Sequence, residues 1–262
     1  MRAFACALIA SVALAAAPAA AALPRAASLN LCTDELLLLL AHPAQVASVT
    51  HLSHSPAETR LWQAARRFHR NDGSLLSVVP TGAELVLTMG EGGRDTLGIA
   101  RRLGIRVLEV PFPQRLGDVE RAITQVARAL RRPVAGRDLR ARIAALRRTR
   151  PPLARDAIWL GGGGRSLAAD GLGAEWMALA GLRQRALPGN RAGLETLLVR
   201  PPAILLRSAY RAGEMSGEQR WLRHPLARHV RARALTTDGR AWTCMGPLLA
   251  GEILRLRRAV TP

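Results

Sequence analysis

The stretch SLNLCTDELLLLL (residues 28–40) places Cys32-Thr33-Asp34 between a short apolar segment and a run of five leucines. Residues 28–31 alternate polar and apolar side chains, as on a half-buried strand, and Thr33 followed by two acidic residues is typical of a helix start. We therefore predict a strand, a tight turn and a helix. In open α/β sheets such a turn lies at the carboxyl end of the strand, where ligands bind. The pattern puts Cys32, Thr33 and Asp34 beside a candidate pocket.

The residues before this stretch, 1–22, are typical of a secretory signal peptide, with an early arginine, an apolar run and small alanines. Pro18 interrupts the apolar run and no second long one follows, so we expect cleavage near Ala22 and no membrane span. A lipid anchor is not expected, because Cys6 lies too early and Cys32 follows Asn-Leu rather than small residues.

The charge of the chain is strongly positive, at +19, yet all 38 basic residues are arginine and none is lysine. Such a field favours anionic ligands or surfaces, nucleic acid among them. The arginines are spread along the whole chain and aromatic residues make up only 3% of it, which offers no platform for stacked bases. We therefore expect no nucleic-acid partner.

The absence of lysine also excludes several chemistries. A Walker P-loop, a Schiff base and a pyridoxal-phosphate anchor each need a lysine. The glycines at 161–164 precede Arg165-Ser166, so the third glycine of a dinucleotide fingerprint is replaced by Ser166. This segment is not predicted to bind a nucleotide.

Strand and helix signals alternate on both sides of a helical middle, which predicts an α/β fold with parallel sheets. We predict helices at 57–69, 173–182, 217–223 and 247–258, and strands at 45–53, 84–88, 106–110, 157–164, 201–208 and 231–237.

The middle, residues 116–146, carries apolar residues at helical spacing with a division at Pro133. Its second helix, about 134–149, would span roughly 24 Å at ~1.5 Å per residue. We predict two α/β lobes, at 23–132 and 151–262, joined by one connecting helix at 133–150.

Five segments in this order resemble periplasmic substrate-binding proteins of ABC importers for vitamin B12 and iron–siderophore complexes. They are SLNLCTDELLLLLAHPAQVASVTHLS (28–53), RRLGIRVLEVPFP (101–113), ADGLGAEWMALAGL (169–182), LETLLVRPPAILLRS (194–208) and AWTCMGPLLAGEILRL (241–256). The resemblance covers essentially the whole mature chain. It implies a monomeric periplasmic protein with a ligand cleft between the two lobes. The ligand would be cobalamin or a ferric siderophore, and no intrinsic cofactor is expected. The protein would deliver the ligand to a permease and its ATPase at the inner membrane.

The layout also implies which residues face the ligand. The candidates are Cys32, Thr33 and Asp34, then His51 and His54 in the loop after the second strand, Gly162 and Arg165, Arg207 and Tyr210 after the strand at 201–208, and Trp242 and Cys244. Trp242 would stack on a flat ligand, and Tyr210 with Arg207 would bind carboxylate or catecholate oxygens. The alternatives are a plain helix cap for Thr33 and Asp34, solvated loops for the histidines and for Tyr210 with Arg207, and an ordinary half-buried Trp242. Trp176 is expected in the core.

Glu195 matches the position at which similar proteins present an acidic residue to arginines of the permease. The first-lobe counterpart is missing, because Leu76 lies where the acid is expected. The sequence therefore leaves open whether the two lobes dock symmetrically. The alternative role of Glu195 is a carboxylate at a helix start.

The mature chain retains two cysteines, Cys32 and Cys244. In an oxidising compartment an even pair of cysteines usually forms a disulfide, and we expect one here. The resemblance puts the two residues on opposite rims of the cleft. If they stay apart, both would be thiols facing the ligand.

Two other functions remain open at the level of sequence. Cys32 could be the nucleophile or redox thiol of an enzyme, activated by the adjacent helix N-terminus, although no partner residue is identifiable. The chain could instead bind a bare metal ion through His51 and His54, which would need at least a third ligand. The arginine content does not discriminate between cobalamin and siderophores, because the excess is global.

Overall fold

The computed structural model describes residues 22–90, 94–152 and 154–260. The predicted signal peptide, apart from Ala22, lies outside the described residues. Nine strands and twelve α-helices are described. The first ten are β1 (Ala26–Ser28), α1 (Leu31–Leu40), β2 (Val46–Thr50), α2 (Trp62–Ala65), β3 (His69–Asn71), α3 (Leu75–Val78), β4 (Leu85–Met89), α4 (Arg94–Arg102), β5 (Arg106–Val110) and α5 (Leu116–Ala129).

The remaining elements follow in the same alternation. They are α6 (Pro133–Arg148), β6 (Arg155–Leu160), α7 (Leu172–Leu179), β7 (Leu182–Gln184), α8 (Leu194–Val199), β8 (Ile204–Ser208), α9 (Gly217–Leu222), α10 (Pro225–Arg228), β9 (Arg233–Thr237), α11 (Arg240–Cys244) and α12 (Leu249–Val260).

The strands form two sheets, and every pairing between strands is parallel. The first sheet has the order β3-β2-β1-β4-β5 and the second the order β7-β6-β8-β9. The chain enters each sheet at an interior strand, β1 or β6, and then adds strands on both sides of it. Because all the strands are parallel, their carboxyl ends lie at one edge of each sheet. The predicted α/β class with two parallel sheets is confirmed.

The opening stretch differs in detail from its prediction. Strand β1 ends at Ser28, and α1 begins at Leu31 with Asn30 as its N-cap. The Asn30 side chain accepts a hydrogen bond from the Thr33 backbone N–H at 3.0 Å. The prediction that Thr33 marks the helix start was therefore wrong, and Thr33 and Asp34 lie inside the first turn. The strand is earlier because Ala26 and Ala27, which are small and fully buried, pair with both neighbouring strands.

The leucines that follow anchor α1 in the core. Leu36, Leu37 and Leu40 are at most 3% exposed and pack in a cluster that also contains buried residues of α5, α6, α7 and α12. Trp176 of α7 belongs to this cluster and is fully buried, as expected, with its indole N–H bonded to the Met245 carbonyl at 2.9 Å. One apolar core thus connects the two halves of the chain.

Two short edge strands depart from the predicted elements. Residues 57–69 were expected to be helical, but only α2 forms, and the chain then enters β3. Strand β7 was not expected. Each edge strand has three residues. An alternating pattern cannot be distinguished over so few positions.

Helix α6 lies between the sheets along the chain and packs against α5, α1 and α12. Its buried face is formed by Gly136, Leu139, Ile143 and Leu146. Gly136 permits close approach, since a Cβ there would lie 2.6 Å from the Ala127 Cβ. The lobe boundaries at 132 and 150, and a single connecting helix, stay predictions. Within the described part of the chain, no helix is both long and apolar enough for a membrane crossing.

Candidate functional site

A cavity of about 630 Å³ opens at the carboxyl ends of β6, β8 and β9. Its lining includes Trp159 near the end of β6 and Gly162 after it, Ser208 at the end of β8 and Tyr210 after it, and Trp242 after β9. This is the edge at which parallel sheets bind ligands, and the volume falls in the range of small-molecule sites. The cavity is our candidate functional site.

Tyr210, the only tyrosine of the chain, lies at the margin of this cavity and reaches the other half of the molecule. Its hydroxyl donates a hydrogen bond to Glu58 Oε2 at 2.8 Å. Arg211 also donates to the Glu58 carboxylate and lies over the Tyr210 ring, 5.3 Å from its centroid. Burial and then the bond to Glu58 raise the pKa of Tyr210, so the free protein holds a neutral phenol.

A second cavity, of about 570 Å³, adjoins the first and shares Arg211 with it. Pro56 of the first half and Arg240 and Arg255 of the second also line it. Arg240 spans the two halves by donating to the Pro56 carbonyl at 2.8 Å. Each guanidinium group at this junction already pairs with a carboxylate of the protein, on Glu58, Asp238 or Glu252. A guanidinium has five N–H donors, so these groups can also bind a carboxylate on a ligand.

Trp242 is 3% exposed, which is far more buried than a stacking platform requires. Helix α11 turns its indole onto β9, where Nε1–H donates to Thr237 Oγ1 at 2.8 Å. Trp242 thus borders the cavity with little of its ring accessible, and its contact with a flat ligand stays a prediction. Trp159 is the more accessible ring. It is half-buried, packs on Trp242 with centroids 5.9 Å apart, and borders the same cavity.

The glycine-rich segment forms part of the cavity wall, and Gly162 and Arg165 both line it. Arg165 pairs with Glu218 of α9 at 2.7 Å. Gly164 has a φ of +78°, and a Cβ on it would lie 2.6 Å from the Ala192 carbonyl oxygen. The glycines are therefore explained by a tight turn that brings the loop against its neighbours.

Arg207 is not among the residues that line the cavity. It lies two residues beyond Leu205 on β8, and therefore on the same face of the sheet. That face packs against α9, and the Arg207 guanidinium donates to the Leu222 carbonyl of that helix. The prediction that Arg207 reaches the opening with Tyr210 was wrong. Arg211, which sequence reasoning missed, supplies the guanidinium instead; its position next to Tyr210 was the available signal.

Thr33 and Asp34 are fully buried and bond to the protein itself. The Thr33 hydroxyl lies 2.7 Å from Ser28 Oγ. The Asp34 carboxylate accepts hydrogen bonds from the backbone and hydroxyl of Thr50 and from Ser53 Oγ, and burial raises its pKa. The first turn of α1 directs both side chains toward β1 and β2. They hold the loop after β2 rather than a ligand, which corrects the prediction of ligand contact.

Cys32 and Cys244 form a disulfide, with Cα atoms 5.3 Å apart. The bond joins the first turn of α1 to the end of α11, and so ties the two halves together covalently. Neither residue is a free thiol in this structure. Cys32 is therefore not available as the nucleophile that the alternative enzyme hypothesis requires.

Glu35 follows this disulfide by one helical turn and is 1% exposed. Burial raises its pKa to about 8, with a further increase from the nearby Asp34, while a hydrogen bond from Thr59 acts in the opposite direction. Its Oε2 atom has no hydrogen-bond partner among the described residues. The neutral form of the side chain is therefore favoured at pH 7.

The two histidines lie in a 3₁₀ turn, His51–His54, directly after β2. His51 is exposed and His54 is half-buried. Burial and the positive charges of Arg70 and Arg66 lower the pKa of His54. Neither histidine lines the two cavities described above. Among the described residues, no three His, Cys, Asp or Glu side chains are grouped so that they could hold a metal ion.

Glu195 is exposed in the first turn of α8. Leu76, which takes the corresponding position in the first half, is 82% exposed on α3. Both side chains are thus accessible to a partner, and they differ in character.

No family model matches the sequence, and neither does any curated protein. Solved structures do match. The periplasmic heme-binding protein HutB of Vibrio cholerae aligns over 91% of this chain and 99% of its own, with 19% identity and a TM-score of 0.72. The apo form of the periplasmic heme-binding protein RhuT from Roseiflexus sp. RS-1 aligns over 91% and 98%, with 20% identity and a TM-score of 0.65.

The periplasmic vitamin B12-binding protein BtuF of Vibrio cholerae aligns over 90% of this chain and 96% of its own, with 15% identity and a TM-score of 0.60. At these identities the similarity establishes the fold. The chain has the two-lobe α/β fold of these periplasmic binding proteins.

Proposed function

We propose that this chain, whose fold is that of periplasmic heme- and vitamin B12-binding proteins, is the substrate-binding component of an ABC importer and that its ligand is an iron porphyrin. The observation that carries the choice of ligand is the position of Tyr210. The only tyrosine of the chain borders the strand-end cavity, next to Arg211 and in contact with Glu58 of the other half.

The chemistry of this cluster fits a ferric porphyrin. A tyrosine oxygen is an established ligand of ferric heme iron, and its proton must leave when the metal binds. Glu58 already accepts the hydrogen bond from the phenol and is the nearest base for that proton. The cation of Arg211 over the ring stabilises the phenolate that results.

The surroundings of Tyr210 support the same ligand. Trp159 offers an apolar surface to the macrocycle, and Arg211 and Arg240 line the adjoining cavity where porphyrin carboxylates would be paired. Cobalamin carries amides in place of those carboxylates, and a siderophore needs no protein ligand to its iron. Both therefore fit the cluster less well than heme, although they were the ligands expected from sequence.

Titration of the purified protein with hemin tests the ligand. We expect one hemin per chain, with a sharpened Soret band and a phenolate-to-iron charge-transfer band. Tyr210→Phe, which removes only the hydroxyl, should abolish the charge-transfer band and weaken binding at least tenfold. Trp62→Phe, an aromatic change outside the cavity, should bind like the wild type. Hemin binding that is unchanged in Tyr210→Phe, or tight binding of cyanocobalamin or of a ferric siderophore with no response to hemin, would contradict the proposal.

The proposed partner is a permease with its ATPase, and Glu195 is the proposed contact on the second half. Glu195 is exposed on α8 and does not line either cavity. Glu195→Ala should leave hemin affinity unchanged and slow uptake by cells that carry the importer. Glu84→Ala removes an exposed carboxylate at the opposite end of the strands and serves as the matched control. Equal loss of affinity and uptake in Glu195→Ala would place the residue in ligand capture instead.

A further inference from the structure

A third cavity, of about 520 Å³, lies where α1, α6 and α12 meet. Its walls are mostly aliphatic and include Leu39, Leu139, Leu146, Leu248 and Leu254. Leu139 and Leu146 are core residues of α6, whereas Leu254 on the facing side of α12 is 46% exposed. We call this cavity the α6–α12 groove. It is an apolar channel that reaches the protein surface.

The charged residues of the α6–α12 groove are all of one sign. Arg60 and Arg142 line it, and no carboxylate is among its lining residues. Arg142 is exposed and makes no ion pair or hydrogen bond with the described residues. Arg60 has a side chain that is 46% exposed and forms a long ion pair with Asp238, at 3.6 Å, which leaves much of its guanidinium accessible. Both guanidinium groups can therefore meet an anion.

The groove is separate from the candidate porphyrin site. The two cavities share no lining residue. The groove is lined by Leu39 and Arg60 of the first half, by four α6 side chains, and by five residues between 247 and 254 of the second half. A molecule in it contacts both halves and the helix between them.

We propose that the α6–α12 groove binds a single-chain anionic amphiphile, such as a long-chain carboxylate, with its acyl chain along the leucines and its head group at Arg142 and Arg60. Aliphatic walls select the chain because removing it from water is favourable, and each methylene buried adds about fourfold to affinity. The two arginines select the anionic head group over a neutral or cationic one. The site is independent of the proposed porphyrin capture.

Calorimetric titration with laurate, below its critical micelle concentration, tests the proposal. We expect one laurate per chain, weaker binding of octanoate by a large factor, and no binding of dodecyltrimethylammonium, which has the same chain with a cationic head. Equal binding of laurate and dodecyltrimethylammonium would overturn the role of the arginines. Absence of laurate binding would overturn the site itself.

Two matched pairs of variants locate the binding. Gly251 lines the groove and a Cβ on it meets no atom within 4 Å, so Gly251→Leu adds a bulky side chain at the groove without a clash at its Cβ. It should abolish laurate binding, while Gly117→Leu on α5, outside the groove, should not. Arg142→Glu should weaken binding at least tenfold, while Arg148→Glu, the same charge change on the same helix, should have little effect.

Hemin separates this proposal from the proposed function. Laurate should bind with equal affinity to the hemin-free and the hemin-saturated protein. Gly251→Leu should still bind hemin. Laurate binding that is unaffected by Gly251→Leu, or that is lost in Tyr210→Phe, would show that laurate occupies the other cavity and would overturn the assignment of the groove.

Discussion

Glu35 is a buried carboxylic acid whose protonation affects the stability of the free protein. It lies in the core between the halves with one carboxylate oxygen bonded to Thr59 and the other without a partner in the described structure. A charged carboxylate in such surroundings is costly, and a neutral one is tolerated. The free energy of unfolding therefore depends on the protonation of Glu35.

This leads to a prediction about pH. The pKa of Glu35 is raised from 4.5 to about 8, so its contribution to stability is fully present below pH 4.5 and is lost as the pH rises toward 8. Relative to Glu35→Gln, the free energy of unfolding of the wild type should fall by up to about 1.4 kcal/mol per pH unit in this window. Urea unfolding at pH 5, 6, 7 and 8 measures it. Parallel curves for the two proteins would contradict the prediction.

Individual side chains show how far the sequence was informative. Tyr210 was predicted at the opening and lies there, because a residue just beyond a strand reaches the strand-end edge in either register. Arg207 and Trp242 were predicted with it, but their direction depends on the face of β8 and on the turn of α11. A shift of one residue along a strand moves a side chain to the other face of the sheet. The packing of Arg207 against α9 and of Trp242 against β9 therefore determines where these side chains point.

At the scale of elements, α1 depends on a cap that differs from the one expected. Asn30 closes the helix by accepting from the Thr33 N–H and hydroxyl. Thr33 and Asp34, which look like caps in the sequence, are needed inside the first turn to bind Ser28 and the β2 loop. The chain offers three polar residues of the capping type within five positions, and tertiary contacts determine which of them caps the helix.

We therefore predict that Asn30→Ala destabilises the protein by about 1 kcal/mol, the usual effect of removing an N-cap. Asn30→Asp keeps the acceptor and should retain most of the stability. Urea unfolding at pH 7 provides the free energies, and hydrogen exchange should show faster exchange at the Thr33 amide in the alanine variant alone. Equal losses in both variants would assign the role of Asn30 to packing rather than capping.

The helices with long apolar patterns, α5, α6 and α12, were predicted within a few residues, and so were strands β4, β5, β8 and β9. The short edge strands β3 and β7 were not. The interior strands β4 and β8 are mostly buried and carry their signal in composition, and the edge strands β5 and β9 are long enough, at five residues each, to be recognised. A three-residue edge strand exists because its neighbour offers free backbone groups. That information is not local to the sequence.

At the scale of the whole molecule, the two halves are held by one covalent bond as well as by the shared core. The Cys32–Cys244 disulfide closes a loop with a sequence separation of 212. In the chain-entropy treatment a loop of this size contributes about 5 kcal/mol, and native disulfides typically contribute 2–5 kcal/mol. The bond also limits how far α1 and α11 can separate when the cleft opens.

We predict that the Cys32→Ser/Cys244→Ser double variant has a free energy of unfolding about 2–5 kcal/mol lower than the wild type. Its radius of gyration without ligand should be larger, because the halves are no longer tied. Reductant should convert the wild type to the behaviour of the variant and leave the variant unchanged. An identical urea midpoint for both proteins, or uptake of two alkyl groups by unreduced, unfolded wild type, would contradict a native disulfide.

The same bond changes what kind of polymer the unfolded protein is. With Cys32 joined to Cys244, most of the described chain is a covalent ring with two short tails, at 22–31 and 245–260. A single proteolytic nick anywhere in the ring opens it without releasing a fragment, and the pieces separate only after reduction. The oxidised chain should therefore migrate faster than the reduced chain in denaturing gels, and a nicked molecule should run as one band until thiol is added.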